Sequence, residues 1–174
     1  MLRLVVSLFV LLSLCSCRTL TVDTAADEQK IQRLTQDIVQ LDPVKVNRQE
    51  AKDLASELVL YSRFLSRRYD HCGNHIFQNM MVNVGLKDRG LCYHWVEDGF
   101  SHYRKFNWQT IDFYWAVSDQ GELLAEHNCL LVTAKDKAFK TGLILDPWMR
   151  SGSLLWYPVS QSNYDWQLRY RLMP

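Results

Sequence analysis

Apolar residues recur at three- and four-residue intervals through the first half of the chain and at intervals of two through much of the second. Over residues 27–41 the apolar positions are Ile31, Leu34, Ile38 and Leu41, the spacing of an amphipathic helix. Asp42-Pro43 ends it, because proline pushes the residue before it out of helical conformation. Asn47 followed three positions later by Glu50 is a capping-box signature. In the helix behind it, Ala51, Leu54, Ala55, Leu58, Leu65 and Tyr69 share one face, while Arg63, Arg67 and Arg68 are expected on a solvated side. A third helix is predicted over 74–84, with Ile76, Phe77, Met80, Met81 and Val84 as its apolar side. Gly85 and the turn Lys87-Asp88-Arg89-Gly90 stop it. A fourth is expected from about Leu91 to Phe106, burying Trp95, Tyr103 and Phe106.

Beyond that point the period changes. Ile111, Phe113, Trp115 and Val117 alternate with Asp112, Tyr114 and Ala116, which predicts a half-buried strand. Asp119-Gln120-Gly121-Glu122 reads as a hairpin turn, with a return strand over 123–133 and short strands over 142–145 and 154–157. Helices followed by antiparallel strands give an α+β class, with N-terminal helices packed on a small antiparallel sheet. A length of 174 residues suits one domain, and no internal repeat or low-complexity tract interrupts it.

Charge and the first residues sharpen this picture. A formal net charge of +1 supplies no basic face for nucleic acid, so no nucleic-acid partner is expected. Arg3 is the one charge among the first sixteen residues, and the following apolar run is too short to span a bilayer. It suits the hydrophobic region of a secretory signal. Leu14-Cys15-Ser16-Cys17 resembles a bacterial lipobox, with cleavage expected before Cys17; a plain signal peptide is the alternative. The resemblance implies residues 1–16 as lipoprotein signal peptide, 17–26 as a lipidated tether and 27–174 as a single domain. Acylation by palmitate-type chains at Cys17 would make the membrane a partner, since more than one chain anchors stably. Arg18 in place of Asp then favours the outer membrane, facing the periplasm. Three cysteines remain for an oxidising compartment, Cys72, Cys92 and Cys129, and an odd number leaves at least one thiol free.

Cys92 falls in the first turn of the fourth predicted helix, where unpaired N–H groups and the helix dipole favour a thiolate. A buried cysteine acting as a small hydrophobe is the ordinary alternative. His127 follows on a predicted strand, and Asp146 ends the next apolar run, Leu143-Ile144-Leu145. Adjacent antiparallel strands can bring such an aspartate against the imidazole and fix its tautomer.

Gly90-Leu91-Cys92-Tyr93-His94-Trp95, Glu126-His127-Asn128 and Leu145-Asp146-Pro147-Trp148 stand in the order found in transglutaminase-like enzymes of the wider papain-like thiol group. The chain is also similar to uncharacterised bacterial lipoproteins, a resemblance that implies no activity of its own. The thiol-enzyme resemblance implies a papain-like or transglutaminase-like core, with Cys92 as nucleophile, His127 as general base and acid, and Asp146 as orienter. It assigns no oxyanion side chain; Gln78 and Asn83 are candidates by type. The expected activity is hydrolysis or acyl transfer at amide bonds, with cell-wall peptides or envelope proteins within reach of a periplasm-facing lipoprotein. A non-catalytic binding or scaffolding module on the same fold is the second reading.

No cofactor is expected. His71, Cys72 and His75 offer a metal pair at helical spacing, but Gly73 intervenes and no fourth ligand completes a structural zinc set. His94 and His102 are expected to be peripheral. Cys129 shares a strand face with His127, and either lines the same pocket or pairs with Cys72. Of the tryptophans, Trp95, Trp115 and Trp148 fit core patterns better than exposed carbohydrate platforms, while Trp156 and Trp166 stay undecided.

Overall fold

A computed structural model describes residues 24–122 and 124–172. The signal segment 1–16 and Cys17 lie outside the described residues. Helix α1, Thr24–Gln40, already includes the last three positions assigned to the tether; Asp27 sits in its first turn, where a carboxylate complements the helix dipole. Helix α2, Arg48–Arg68, starts at Asn47, whose side chain accepts from the Gln49 and Glu50 backbone N–H groups at 2.9 and 3.0 Å. Glu50 does not complete the reciprocal box. Its carboxylate accepts from the Thr110 N–H at 3.0 Å, tying the helix start to the entrance of the sheet. Arg63, expected in solvent, is largely buried in an ion pair with Asp27, so α1 and α2 are joined by charge as well as by apolar contact.

Helix α3 is His75–Asn83 and α4 is Cys92–Tyr103. The last predicted turn of α4 is absent, and Phe106 is partly exposed. Five antiparallel strands follow: β1 Ile111–Ser118, β2 His127–Ala134, β3 Leu143–Asp146, β4 Leu155–Pro158 and β5 Gln167–Leu172, in the order β4-β3-β2-β1-β5. The architecture is α+β, four helices and a five-stranded antiparallel sheet among the described residues.

β2 begins four residues later than expected, because the chain from Glu122 to Glu126 closes further turns on Asp119 and Glu122 carbonyls, with Leu124 at φ +65°. β5 was not anticipated. It runs beside β1 with Leu168 and Tyr170 outward, while Arg169 and Arg171 engage Glu126 and Asp112. An edge strand with cations reaching back along the sheet is protected from edge-to-edge pairing.

Every residue of β2 is buried because the sheet is covered on both faces. Leu130, Val132 and Ala134 join Leu54, Leu58 and Val96 of the helices in the larger core. Cys129 and Leu131 point the other way, toward Tyr114, Ile144 and Trp166. No helix among the described residues is long and apolar enough to cross a membrane.

Candidate active site

The turn leading into α4 is built from side chains that sequence reasoning placed elsewhere. The Nδ1 of His94 accepts from the Gly90 and Leu91 N–H groups at 3.1 and 3.2 Å, and Trp95 donates to the Gly90 carbonyl. Burial, with the nearby Arg89 charge, lowers the His94 pKa and keeps Nδ1 available as an acceptor. Gln78, wholly buried, donates from Nε2 to the Tyr69 and Arg89 carbonyls at 3.2 and 3.1 Å. Gly90 adopts φ +134°, and a Cβ there would come within 2.6 Å of Gln78 Cγ, so both the conformation and the close approach require glycine. His94 is therefore a buried brace. Gln78 is another, its amide donors spent on carbonyls rather than aimed at a substrate. Together they deliver Cys92 as the first residue of α4, behind Leu91, which offers no side-chain cap.

His127 opens β2 and Asp146 closes β3. The pairing of Leu130 with Leu145 fixes their register, and one further step sets Asp146 across from Cys129 and beside His127. His127 Nε2 and Asp146 Oδ2 are 2.8 Å apart, and Asp146 Oδ1 accepts from the Met149 N–H at 2.9 Å. The rings of Trp148, Tyr164 and Trp166 surround the imidazole at centroid distances of 4.9, 5.4 and 5.4 Å. Burial by itself disfavours the imidazolium. The sulfur of Cys129, the Asp146 carboxylate and the Cys92 thiol reverse that and hold the His127 pKa above its ordinary value. Burial, with the Asp146 carboxylate beside it, pushes the Cys129 thiol well up. His127 Nδ1 is buried without a hydrogen-bond partner among the described residues.

The Cys92 thiol sits 3.8 Å from the Glu126 carbonyl oxygen and 3.9 Å from Asn128 Nδ2. The Asn128 amide is held in one orientation. Its Oδ1 accepts from Trp115 Nε1 at 2.6 Å and Arg169 Nη1 at 3.1 Å, which leaves Nδ2 to donate to Glu126 at 2.9 Å and toward the sulfur. Arg169 also pairs with Glu126 at 2.7 Å and lies over the Trp115 ring. Cys92, His127 and Asn128 open on a cleft of about 1020 Å³. Its apolar lining comes from Ile76, Met80 and Val84 on the α3 side, which are 70, 50 and 60% exposed, and from Leu124 and Trp148. Asn83, the other oxyanion candidate, lines the same cleft.

The structure thus brings Cys92, His127 and Asp146 to one corner of the fold. His71, Cys72 and His75 do not converge: His71 Nδ1 accepts from the Gly73 N–H, and His75 turns to the Trp148 ring. Cys72, Cys92 and Cys129 are all free thiols. His102 stacks on Tyr61 at 3.7 Å and pairs with Glu57, so it joins α4 to α2. Trp95 and Trp166 are buried, whereas Trp115 and Trp148 are half-buried and touch the site. Asn128, Tyr164 and Trp166 are the site residues that sequence reasoning missed. Asn128 stood beside His127 in a quoted motif, and its alternate position on β2 could have pointed it to the α4 side. Nothing in the linear pattern marks Tyr164 or Trp166, which arrive with the connection into β5. No protein-family model matches the chain, and neither does any curated protein or solved structure.

Proposed function

We propose that the protein is a thiol hydrolase or acyltransferase of papain-like or transglutaminase-like type, acting on amide bonds. The observation that carries this reading is the His127–Asp146 bond through Nε2 in the cleft that Cys92 also lines; Nδ1 has no partner among the described residues, and the Cys92 sulfur, in contact with the Glu126 carbonyl and Asn128 Nδ2, must turn from them to meet it. Cys92 attacks the carbonyl carbon as the thiolate, its proton resting on Nδ1 of the His127 imidazolium that Asp146 stabilises. The carbonyl oxygen gathers negative charge, which the Cys92 backbone N–H and the fixed Asn128 Nδ2 are placed to stabilise. His127 gives its proton to the departing amine as the C–N bond breaks. Water or an acceptor amine then loses a proton to Nδ1 and attacks the thioester, and the thiol is regenerated with that proton. Asp146 holds the tautomer and supports the imidazolium throughout. With the lipobox-like Cys17, the site would work from a lipid anchor on the periplasmic side of the outer membrane. Envelope proteins and cell-wall peptides are the substrates in reach there.

Iodoacetamide labelling of Cys92 at neutral pH is the test. The expected rate exceeds that of a model thiol by about tenfold or more, and His127→Ala removes the excess. Equal rates in the two proteins would sink the reading. A non-catalytic binding role is the second reading, favoured by one observation, the exposed apolar wall of Ile76, Met80 and Val84. Slow, His127-independent alkylation would leave that reading standing alone.

A further inference from the structure

The triad has no use for Cys129. Its sulfur nevertheless lies 3.4 Å from His127 Nε2, the nitrogen already bonded to Asp146, so the sulfur and the carboxylate converge on one ring nitrogen. An imidazole nitrogen, a thiol sulfur and a carboxylate oxygen thus all lie within 4.8 Å of one another, every one of them buried. We propose that His127, Cys129 and Asp146 form a binding site for a divalent cation of the zinc type, and that its occupation switches Cys92 off.

Donor chemistry selects the class: mixed nitrogen, sulfur and oxygen ligands suit zinc and its neighbours, whereas calcium and magnesium take oxygen. The spacing is close to what is needed. Ligand bonds of about 2.0 Å to nitrogen and oxygen and about 2.3 Å to sulfur put tetrahedral neighbours roughly 3.3 to 3.5 Å apart. The nitrogen–sulfur separation is already there, the 2.8 Å nitrogen–oxygen contact opens by about half an ångström once a cation replaces the proton between them, and the sulfur and carboxylate oxygen, within 4.8 Å of each other, draw together toward about 3.5 Å. Charge balances too. The cation displaces the Cys129 thiol proton and meets a thiolate, a carboxylate and a neutral imidazole, so the buried group as a whole is uncharged. Three protein ligands leave one tetrahedral position to be filled.

Regulation follows from the tautomer. With the metal on Nε2, the imidazole carries its proton on Nδ1, the nitrogen through which Cys92 would lose its own. Metal binding and thiol activation are therefore mutually exclusive uses of one ring, whereas the site itself does not depend on Cys92 turning over.

The experiment uses the full chain, stripped of metal, with Cys15, Cys17 and Cys72 replaced by serine, titrated with cobalt(II) and followed by its thiolate-to-cobalt absorption. One equivalent is expected to raise the band in this protein and in its Cys92→Ser version, and Cys129→Ser is expected to lose it, with affinity at least about tenfold weaker. X-ray absorption of the zinc-loaded protein with Cys129 intact is expected to show one sulfur in the ligand shell, a reading that needs no folded variant. No band at one equivalent, a band that survives Cys129→Ser, or a shell with none or two sulfurs would overturn the proposal. Alkylation of the metal-free protein reports on the thiol enzyme separately, so the two ideas fail by different signs. If both hold, one equivalent of zinc removes the excess alkylation rate and a chelator restores it.

Discussion

Helices α2 and α3 carry the same kind of sequence pattern and put it to opposite uses. In α2 the stripe of Leu54, Leu58 and Leu65 is buried, each at 2% exposure or less, beneath the sheet and α4. In α3 the stripe of Ile76, Met80 and Val84 faces the cleft beside Cys92, and the one residue buried in the helix is Gln78. A helix pattern reports that one side is apolar; it does not report whether protein lies against that side. For α2 the partners are the larger core at Leu54 and Leu58 and the Tyr69 and Trp95 rings at Leu65. The partners of α3 are polar ones, two carbonyls for the Gln78 amide and the Trp148 indole N–H for Asn79, which lock the helix with its apolar side outward.

Substitutions at matched positions test that contrast. Leu54→Ala should cost about 2–5 kcal/mol in a urea unfolding curve, the usual range for a fully buried leucine. A cost under about 1 kcal/mol would mean the α2 stripe is not the core it looks like. Gln78→Leu comes next, at about 2 kcal/mol, because it strands the Tyr69 and Arg89 carbonyls. It should also slow Cys92 alkylation, since the Gly90 turn loses its brace; a stability loss with unchanged alkylation would separate the turn from the thiol.

The connection between the two helices supplies a pH effect. His71 is buried, and burial, helped by the Lys87 and His75 charges, lowers its pKa to about 4. Between that value and its ordinary 6.5 the unfolded chain binds a proton that the folded chain does not. Stability therefore rises with pH across this window, with a slope from His71 of at most about 1.4 kcal/mol per pH unit. His71→Asn keeps an acceptor near the Gly73 N–H and should flatten the slope measured by urea unfolding between pH 4 and 6.5. An unchanged slope would show that His71 titrates alike in both states.

The smallest effect belongs to α3. Met80→Gln should change stability by less than about 0.5 kcal/mol, since the side chain is half in water already. A loss comparable to Leu54→Ala would show that something covers the α3 wall.

Much of the secondary structure was legible because it follows from local rules. Asn47 caps α2, proline stops α1, and the alternation of β1 pairs it with β2 residue for residue from Ile111 and Ala134 to Ser118 and His127. β5 also alternates, Gln167 to Leu172, yet Leu168 and Tyr170 face outward, and its place at the sheet edge is set by Arg169 and Arg171 reaching acidic partners on distant segments. The capping box at Asn47 was half right for a similar reason. Glu50 found the Thr110 N–H, sixty residues away, in place of its own helix start.

The sequence by itself determined the four helices and the first four strands, β5 excepted, the α+β class, and the chain order of Cys92, His127 and Asp146. Those follow from backbone sterics, periodicity and turn chemistry, which act over a few residues. The tertiary structure decided that Asp146 meets Nε2, that Cys129 lies beside the same nitrogen, and that Asn128 is turned toward the Cys92 sulfur by Trp115 and Arg169. The first two depend on the β2–β3 register and on the side-chain conformations it imposes, and the third on side chains from β1, β2, β5 and α4 meeting in one place. No local propensity encodes such meetings; they exist only once the sheet has closed.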